Sequence, residues 1–191
     1  GLWLLDPNNI TIQTSGSNTN ITGNPDFTTS NNSAILSVGS IQTALNAGTS
    51  VSVTTASAGT NTQLGDITVA NSITKSSGGN TSLTLTANRS IILNTGVSVS
   101  STSGQMGVTL NADSDANGTG SITLNSTSSI LSNGGDIVLG GGANPLTTAA
   151  RGYAGSVIGI NLNAATLNAA GGNISLRGTG HAGTTNNYGI L

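Results

Sequence analysis

The feature that most constrains this chain is one short phrase that keeps returning. Residues 121–139 read SITLNSTSSILSNGGDIVL, and the same apolar-x-apolar triplet appears as GVTLNA, GINLNA and GGNISL. The triplets are Ile10–Ile12, Val51–Val53, Ile67–Val69, Leu83–Leu85, Ile91–Leu93, Val97–Val99, Val108–Leu110, Ile122–Leu124, Ile137–Leu139, Ile160–Leu162 and Ile174–Leu176. A period of two marks a half-buried strand. The middle residue is usually Thr or Ser, as at Thr68, Thr84, Thr109, Thr123 and Ser175, which suits the solvent face of a sheet.

The triplets group in threes. Strand starts fall at 51, 67 and 73, then at 83, 91 and 97, then at 108, 122 and 130, then at 137, 160 and 167, with a last start at 174. Second and third starts lie close together. The distance from first to second varies most, from 83–91 to 137–160. A three-sided coil with two tight corners and one corner open to insertions would produce this. Stacked coils would pair each strand with its equivalents above and below and bury a continuous aliphatic core. The expected fold is therefore all-β, a right-handed parallel β-helix (a three-sided solenoid) with loop insertions on one edge. It is read as one segment over 1–191, with an opening region and long loop in 1–50 and regular coils in 51–191. A β-sandwich also shows many short strands, but it would normally need more aromatics and longer alternating strands.

Composition agrees with a thin aliphatic core. Charged residues are 5% and aromatics 2%, against roughly 25% charged in an ordinary domain. Disordered chains also lack aromatics, but they lack regularly placed Ile, Val and Leu as well. Four Lys and Arg among 191 residues make no basic patch for nucleic acid. No apolar run reaches the roughly 18 residues of a membrane span. With no Cys, disulfides and thiolate metal sites are excluded. No signal peptide is visible, and Gly1 does not look like a natural start, so the chain reads as an excerpt of something longer.

The corners carry their own expectations. Asn94, Asn111, Asn125 and Asn163 follow strands, where Asn tolerates a left-handed turn and could bond to the Asn of the next coil. Gly78-Gly79, Gly134-Gly135 and Gly171-Gly172 mark another corner. Asp113-Ser114-Asp115-Ala116-Asn117-Gly118 matches the first half of a calcium loop, but Leu124 stands where the bidentate Glu belongs. The favoured reading is a solvated turn. The alternative is a weak calcium site on Asp113, Asp115 and Asn117. Apart from that, no cofactor is expected.

The long corner should gather the unusual side chains, Phe27, Arg151, Tyr153, His181 and Tyr188, along one edge. Loops on a rigid scaffold favour binding, and Tyr and Arg are adaptable contacts. Arg151, Tyr153, His181 and Tyr188 are the candidate ligand-binding residues. The competing reading is that these loops are tolerated insertions. Catalysis is not expected, since there is one His and no Glu, and only Asp113 and Asp115 are close in sequence. An ice-binding face would need a flat Thr-x-Thr array, which Val138 and Asn161 interrupt. Asn80, Asn88 and Asn125 begin Asn-x-Ser/Thr sequons, which a chain this rich in those residues produces by chance.

Within WLLDPNNITI, residues Trp3, Leu5, Asp6, Pro7, Ile10 and Ile12 resemble a segment of very large secreted bacterial proteins of the filamentous haemagglutinin type. Residues 40–56 (SIQTALNAGTSVSVTTA) and 65–99, with the later GGDIVLGGGANPLTTAARGYAG and GGNISLRGTG blocks, are similar to their repeats. This resemblance implies a right-handed parallel β-helix within a long repetitive exoprotein. It implies two-partner secretion through an outer-membrane β-barrel partner, and a place on or outside a Gram-negative cell. The role implied is adhesion to a host-surface receptor, other cells or polysaccharide. The domain that the secretion partner recognises would lie upstream. End-to-end self-association of the segment is a further expectation, because an unfinished coil leaves open strand edges.

Overall fold

A computed structural model of the chain describes residues 7–14, 16–56, 62–183 and 185–191. Trp3, Leu5 and Asp6 lie outside the described residues. The opening stretch, expected to hold a long loop, contains β1 (Ile10–Gln13), β2 (Ile21–Thr22), β3 (Asp26–Thr29), β4 (Ala34–Ser37) and the helix α1 (Val38–Asn46). Next come β5 (Val51–Thr54), β6 (Ile67–Val69), β7 (Ile73–Lys75), β8 (Thr81–Thr86), β9 (Ile91–Leu93) and β10 (Ser98–Ser101). Then follow β11 (Met106–Ala112), β12 (Ile122–Leu124), β13 (Ser129–Leu131), β14 (Ile137–Gly141) and β15 (Ala150–Arg151). The last are β16 (Ile160–Leu162), β17 (Thr166–Asn168), β18 (Ile174–Leu176) and β19 (Gly178–Thr179).

The strands assemble into parallel sheets in a regular order. A first sheet runs β18-β14-β11-β8-β5-β3-β2, a second β16-β12-β9-β6-β1-β4, and a third β17-β13-β10-β7. From β5 onward the chain visits first, second and third sheet in turn, with the β15-β19 pair added beside them. Register holds from layer to layer. Ile10, Ile67, Ile91, Ile122 and Ile160 align across the second sheet, and all are buried. Val51, Leu83, Val108 and Ile137 do the same in the first sheet, and Ile73, Val99 and Ile130 in the third. One hydrophobic cluster joins all three sets. Each such side chain contributes about 1.5–3 kcal/mol by leaving water. A slip of one residue would turn every column outward, so register is strongly specified.

Phe27, expected on the variable edge, is instead buried in this core, paired in register with Val53. Its strand DFTT alternates like the others, and the inward ring fills the layer beside β5. Lys75 is the other unexpected interior group. It ends β7 pointing inward and is fully buried. Its ammonium donates to the carbonyl oxygens of Gly78, at 3.2 Å, and Ser103. In the next layer Ser101 takes the register position of Lys75 and likewise donates to the oxygens of Ser103 and Gly104. Both thereby bond to corner carbonyls, which gives the inward ammonium and hydroxyl their partners.

The corners differ in part from expectation. Between second and third sheets the left-handed residues are Gly96, Thr127 and Ala164, with φ of 73°, 60° and 49°. The preceding Asn94, Asn125 and Asn163 do not adopt that conformation. Their backbone N–H groups continue the ladder to Val69, Leu93 and Leu124 oxygens. No hydrogen bond among the described residues links these Asn side chains to one another. Asn111 lies inside β11 rather than at a corner. The turn therefore bends one or two residues later than the Asn positions suggested. The Gly-Gly pairs do sit at the corner between third and first sheets. A Cβ on Gly135 would come within 2.5 Å of the Gly107 nitrogen, and one on Gly172 within 2.6 Å of the Gly135 carbonyl carbon. Glycine lets one layer rest directly on the next.

Residues 7–50 close one end of all three sheets. Thr19 bridges antiparallel to Ile35 of β4, and β2 pairs antiparallel with β3. At the third sheet α1 lies beside β7. Gln42 Oε1 accepts the Thr74 N–H at 3.0 Å, and Asn46 Oδ1 accepts those of Ser76 and Ser77 at 2.8 and 3.1 Å. The helix forms because Val38, Ile41, Ala44 and Leu45 make one apolar face. Ser37 caps it, its Oγ accepting from the Gly39 N–H.

Candidate functional site

The corner between first and second sheets varies in length as expected, spanning 55–66, 87–90, 113–121, 142–159 and 177–189 in successive layers. Stacking brings the described residues of these segments together along one edge. The segment 87–90 is the shortest and 142–159 the longest.

At the edge's inner side Asp66 meets Arg89 of the next layer. The Arg89 Nε donates to Asp66 Oδ1 at 2.7 Å, and its second nitrogen pairs with Oδ2. The Ser90 N–H adds a third bond to Asp66, at 3.0 Å. The pair is bidentate and mostly shielded from water, the geometry in which an ion pair contributes most. The hydrogen bond to Asp66 raises the guanidinium further above its ordinary pKa, partly offset by burial. Two layers on, the Tyr153 ring lies against the same guanidinium, 5.5 Å from Cζ to ring centroid. Gly155 packs on that ring, so close that a Cβ there would stand 2.8 Å from Cε2. A column of hydroxyls runs nearby, buried at Ser90 and Ser121 and half-buried at Ser156. Ser90 and Ser121 Oγ atoms are 3.3 Å apart, and Ser121 Oγ donates to Ser156 Oγ at 3.0 Å.

The 113–118 loop divides into an inner and an outer half. Asp113 is buried, at 2% exposure, in a left-handed conformation with φ of 50°. An exposed loop was expected here. The loop instead turns Asp113 Oδ1 onto its own backbone, where it accepts the N–H groups of Gly118 (3.0 Å) and Thr119 (3.2 Å). Burial pushes its carboxyl up. Those two N–H groups oppose the shift, Asp115 adds to it and Arg151 counteracts it. Asp115 is exposed, and Asn117 occupies both its oxygens: the backbone N–H at 3.3 Å and Nδ2 at 2.8 Å. Asn117 Oδ1 in turn accepts the Thr119 N–H at 2.9 Å. Asp113, Asp115 and Asn117 are thus neighbours, but their oxygens face donors of the loop itself. Among the described residues, no group of three or more His, Cys, Asp or Glu side chains converges as a metal cluster would.

The four candidate binding residues fall in the two outermost layers of the edge. Arg151 is exposed and exchanges backbone hydrogen bonds with Gly120 at 2.7 and 3.0 Å, and β15 pairs it with Thr179. The His181 N–H bonds to the Val157 oxygen, and the Tyr188 oxygen accepts from the Gly159 N–H. His181 is half-buried and Tyr188 exposed. Arg151, His181 and Tyr188 can offer donors and an aromatic ring to a hydroxyl-rich or peptide ligand. Tyr153 is packed instead, between Arg89 and Gly155.

Sequence reasoning passed over Asp66, Arg89, the Ser90-Ser121-Ser156 column and Lys75. One signal was available for the ion pair. Asp66 and Arg89 stand just before β6 and β9, neighbouring strands of the second sheet, with opposite charge in a chain that has little. No protein-family model matches the chain, and no curated protein matches it.

Proposed function

We propose that this chain is a segment of an exported bacterial adhesin, a rigid shaft that displays its long-corner loops for attachment to cells, matrix or glycan. The observation that carries the reading is the repeated order of first, second and third sheet, with parallel pairing and constant register. A three-sided parallel β-helix accounts for that order with one coil per three strands. A right-handed coil follows the hand that parallel strand connections take in nearly all proteins. Such a rod suits display because each layer rests only on its neighbours, so loops can lengthen on one edge without disturbing the core.

The resemblance to filamentous haemagglutinin-type exoproteins supplies the setting. In it the parent chain leaves a Gram-negative cell through an outer-membrane β-barrel partner and stays on the surface or is released. No helix among the described residues is long and apolar enough to cross a membrane. The second reading is a polysaccharide-binding module, favoured by the exposed Arg151 and Tyr188 on neighbouring layers. We infer no catalytic role. Asp66 is engaged by Arg89, and Asp113 by two backbone N–H groups, so neither is a free acid or base.

The test is a glycan and host-matrix binding array on the 191-residue chain, run with calcium and with EDTA. Specific binding lost in Arg151→Ala at unchanged thermal stability supports loops that bind. Binding sensitive to EDTA would assign calcium to the 113–118 loop. Silence across the array from a folded chain would sink the attachment role for this segment.

A further inference from the structure

The sequence holds two Asn-Gly pairs, Asn117-Gly118 and Asn133-Gly134. In such a pair the main chain can react with its own side chain. The Gly nitrogen closes a five-membered ring on the Asn amide carbon, and the missing Cβ leaves its approach open. Both Asn residues are exposed, so water reaches each. Their hydrogen-bond partners differ.

At Asn117 every reacting group meets a partner suited to the reaction. The nucleophile is the Gly118 nitrogen, whose N–H donates to Asp113 Oδ1 at 3.0 Å. A carboxylate can take that proton, and burial makes this one a stronger base than an exposed one. The electrophile is the Asn117 amide carbon. Its Oδ1 accepts the Thr119 N–H at 2.9 Å and the Thr119 hydroxyl, donors that stabilise charge developing on that oxygen. The leaving nitrogen, Nδ2, is held by Asp115 Oδ2 at 2.8 Å. At the other pair the Gly134 N–H donates to the Ala169 carbonyl oxygen at 2.7 Å, which is no base at neutral pH. Asn133 Nδ2 donates to the Gly104 oxygen at 3.0 Å.

We propose that Asn117-Gly118 is a self-modification site, at which the chain deamidates through a cyclic imide with Asp113 as the base. The bond from Gly118 N to Asn117 Cγ forms, and the Cγ–Nδ2 bond breaks. Asp113 takes the Gly118 proton, an equivalent proton reaches Nδ2 through solvent, and ammonia leaves. Water then opens the imide at either carbonyl, leaving Asp or isoaspartate at 117. Asp113 is closed to an outside substrate, and the proton within its reach is the one this reaction removes. Either product sets a third carboxylate beside Asp113 and Asp115 and abolishes the Nδ2 bond to Asp115. The outcome is a slow, one-way gain of negative charge on the long corner. The inference is independent of adhesion.

The experiment is prolonged incubation of the 191-residue chain at neutral pH, with peptide mapping by mass spectrometry and an isoaspartate assay. Asn133 serves as the internal reference. Asn117 should convert about ten-fold faster than Asn133 in the folded chain, and the two should react alike in concentrated urea. Asp113→Asn keeps an acceptor but cannot take the proton. It should slow conversion at Asn117 about ten-fold and leave Asn133 unchanged. Equal rates at the two sites in the folded chain, a preference for Asn117 that persists in urea, or a folded Asp113→Asn chain that converts Asn117 at the parent rate would overturn the proposal. The comparison of folded with unfolded parent decides the matter even if the variant does not fold.

Discussion

Asp113 concentrates the electrostatics of the long corner in one residue. Its folded carboxyl titrates above the ordinary range because burial disfavours the charged form. Between the unfolded and folded pKa values, the folded state therefore holds the proton more often than the unfolded chain. Stability from this group is fully present below the unfolded value, near 4 by the usual reference of about 3.9, and is lost as pH rises through the folded value. At pH 7 the carboxylate is a net cost that its two N–H partners only partly offset. Asp113→Asn keeps an acceptor for Gly118 and Thr119, removes the charge and tolerates the left-handed backbone. Thermal melts at pH 7 should place its midpoint at or above that of the parent. The difference should shrink toward pH 3, as the parent protonates. A variant several degrees less stable at pH 7 would mean that the charge itself is needed.

Among the elements, α1 has the largest consequence for its size. Nine residues cover the edge of β7, and the side chains of Gln42 and Asn46 stand in for a neighbouring strand's carbonyls. Ile41 and Leu45 hold the helix down and are fully buried. Removing a large aliphatic from such a position costs about 2–5 kcal/mol, and a buried charge in its place costs more. Ile41→Asp should lift the helix and open the edge it covers. The bared edge of β7 would then be free to pair with strands of other copies. Light scattering that rises with concentration and time is the expected readout, against a stable size for the parent chain. Unchanged scattering from a variant that keeps its β-sheet spectrum would show that the other covers, Thr19 and β2, suffice.

At the scale of the molecule, stability should behave as a sum over layers and the contacts between them. One hydrophobic cluster spans the sheets, and its buried columns run from layer to layer. A chain cut after Ser132 loses β14 to β19 but keeps the capped end and the layers from β5 to β13. It should retain parallel β structure by circular dichroism and melt at lower temperature than the whole. Complete unfolding would show that the C-terminal layers act as a nucleus rather than as additions.

The strand positions and their grouping in threes were legible in the sequence, because a period of two and a repeat of three strands are both written in the placement of Ile, Val and Leu. The Gly-Gly corner was legible for a similar reason: only glycine fits where Gly172 rests on Gly135. The opening region was not. Phe27 and Ile35 lie among strands of irregular spacing, and α1 stands where a third-sheet strand was due. The turn residues were misassigned because left-handed φ depends on where the chain must bend to reach the next sheet, which local residue preference does not specify. The ion pair of Asp66 with Arg89, the inward Lys75 and the packing of Tyr153 on Arg89 were decided by tertiary structure alone. Each depends on which layers come to lie together and how far water is excluded between them. The sequence by itself determined the repeating strand and its buried face, since those follow from side-chain periodicity. Which corner residues touch, and which polar groups are buried between layers, followed only from the stacking.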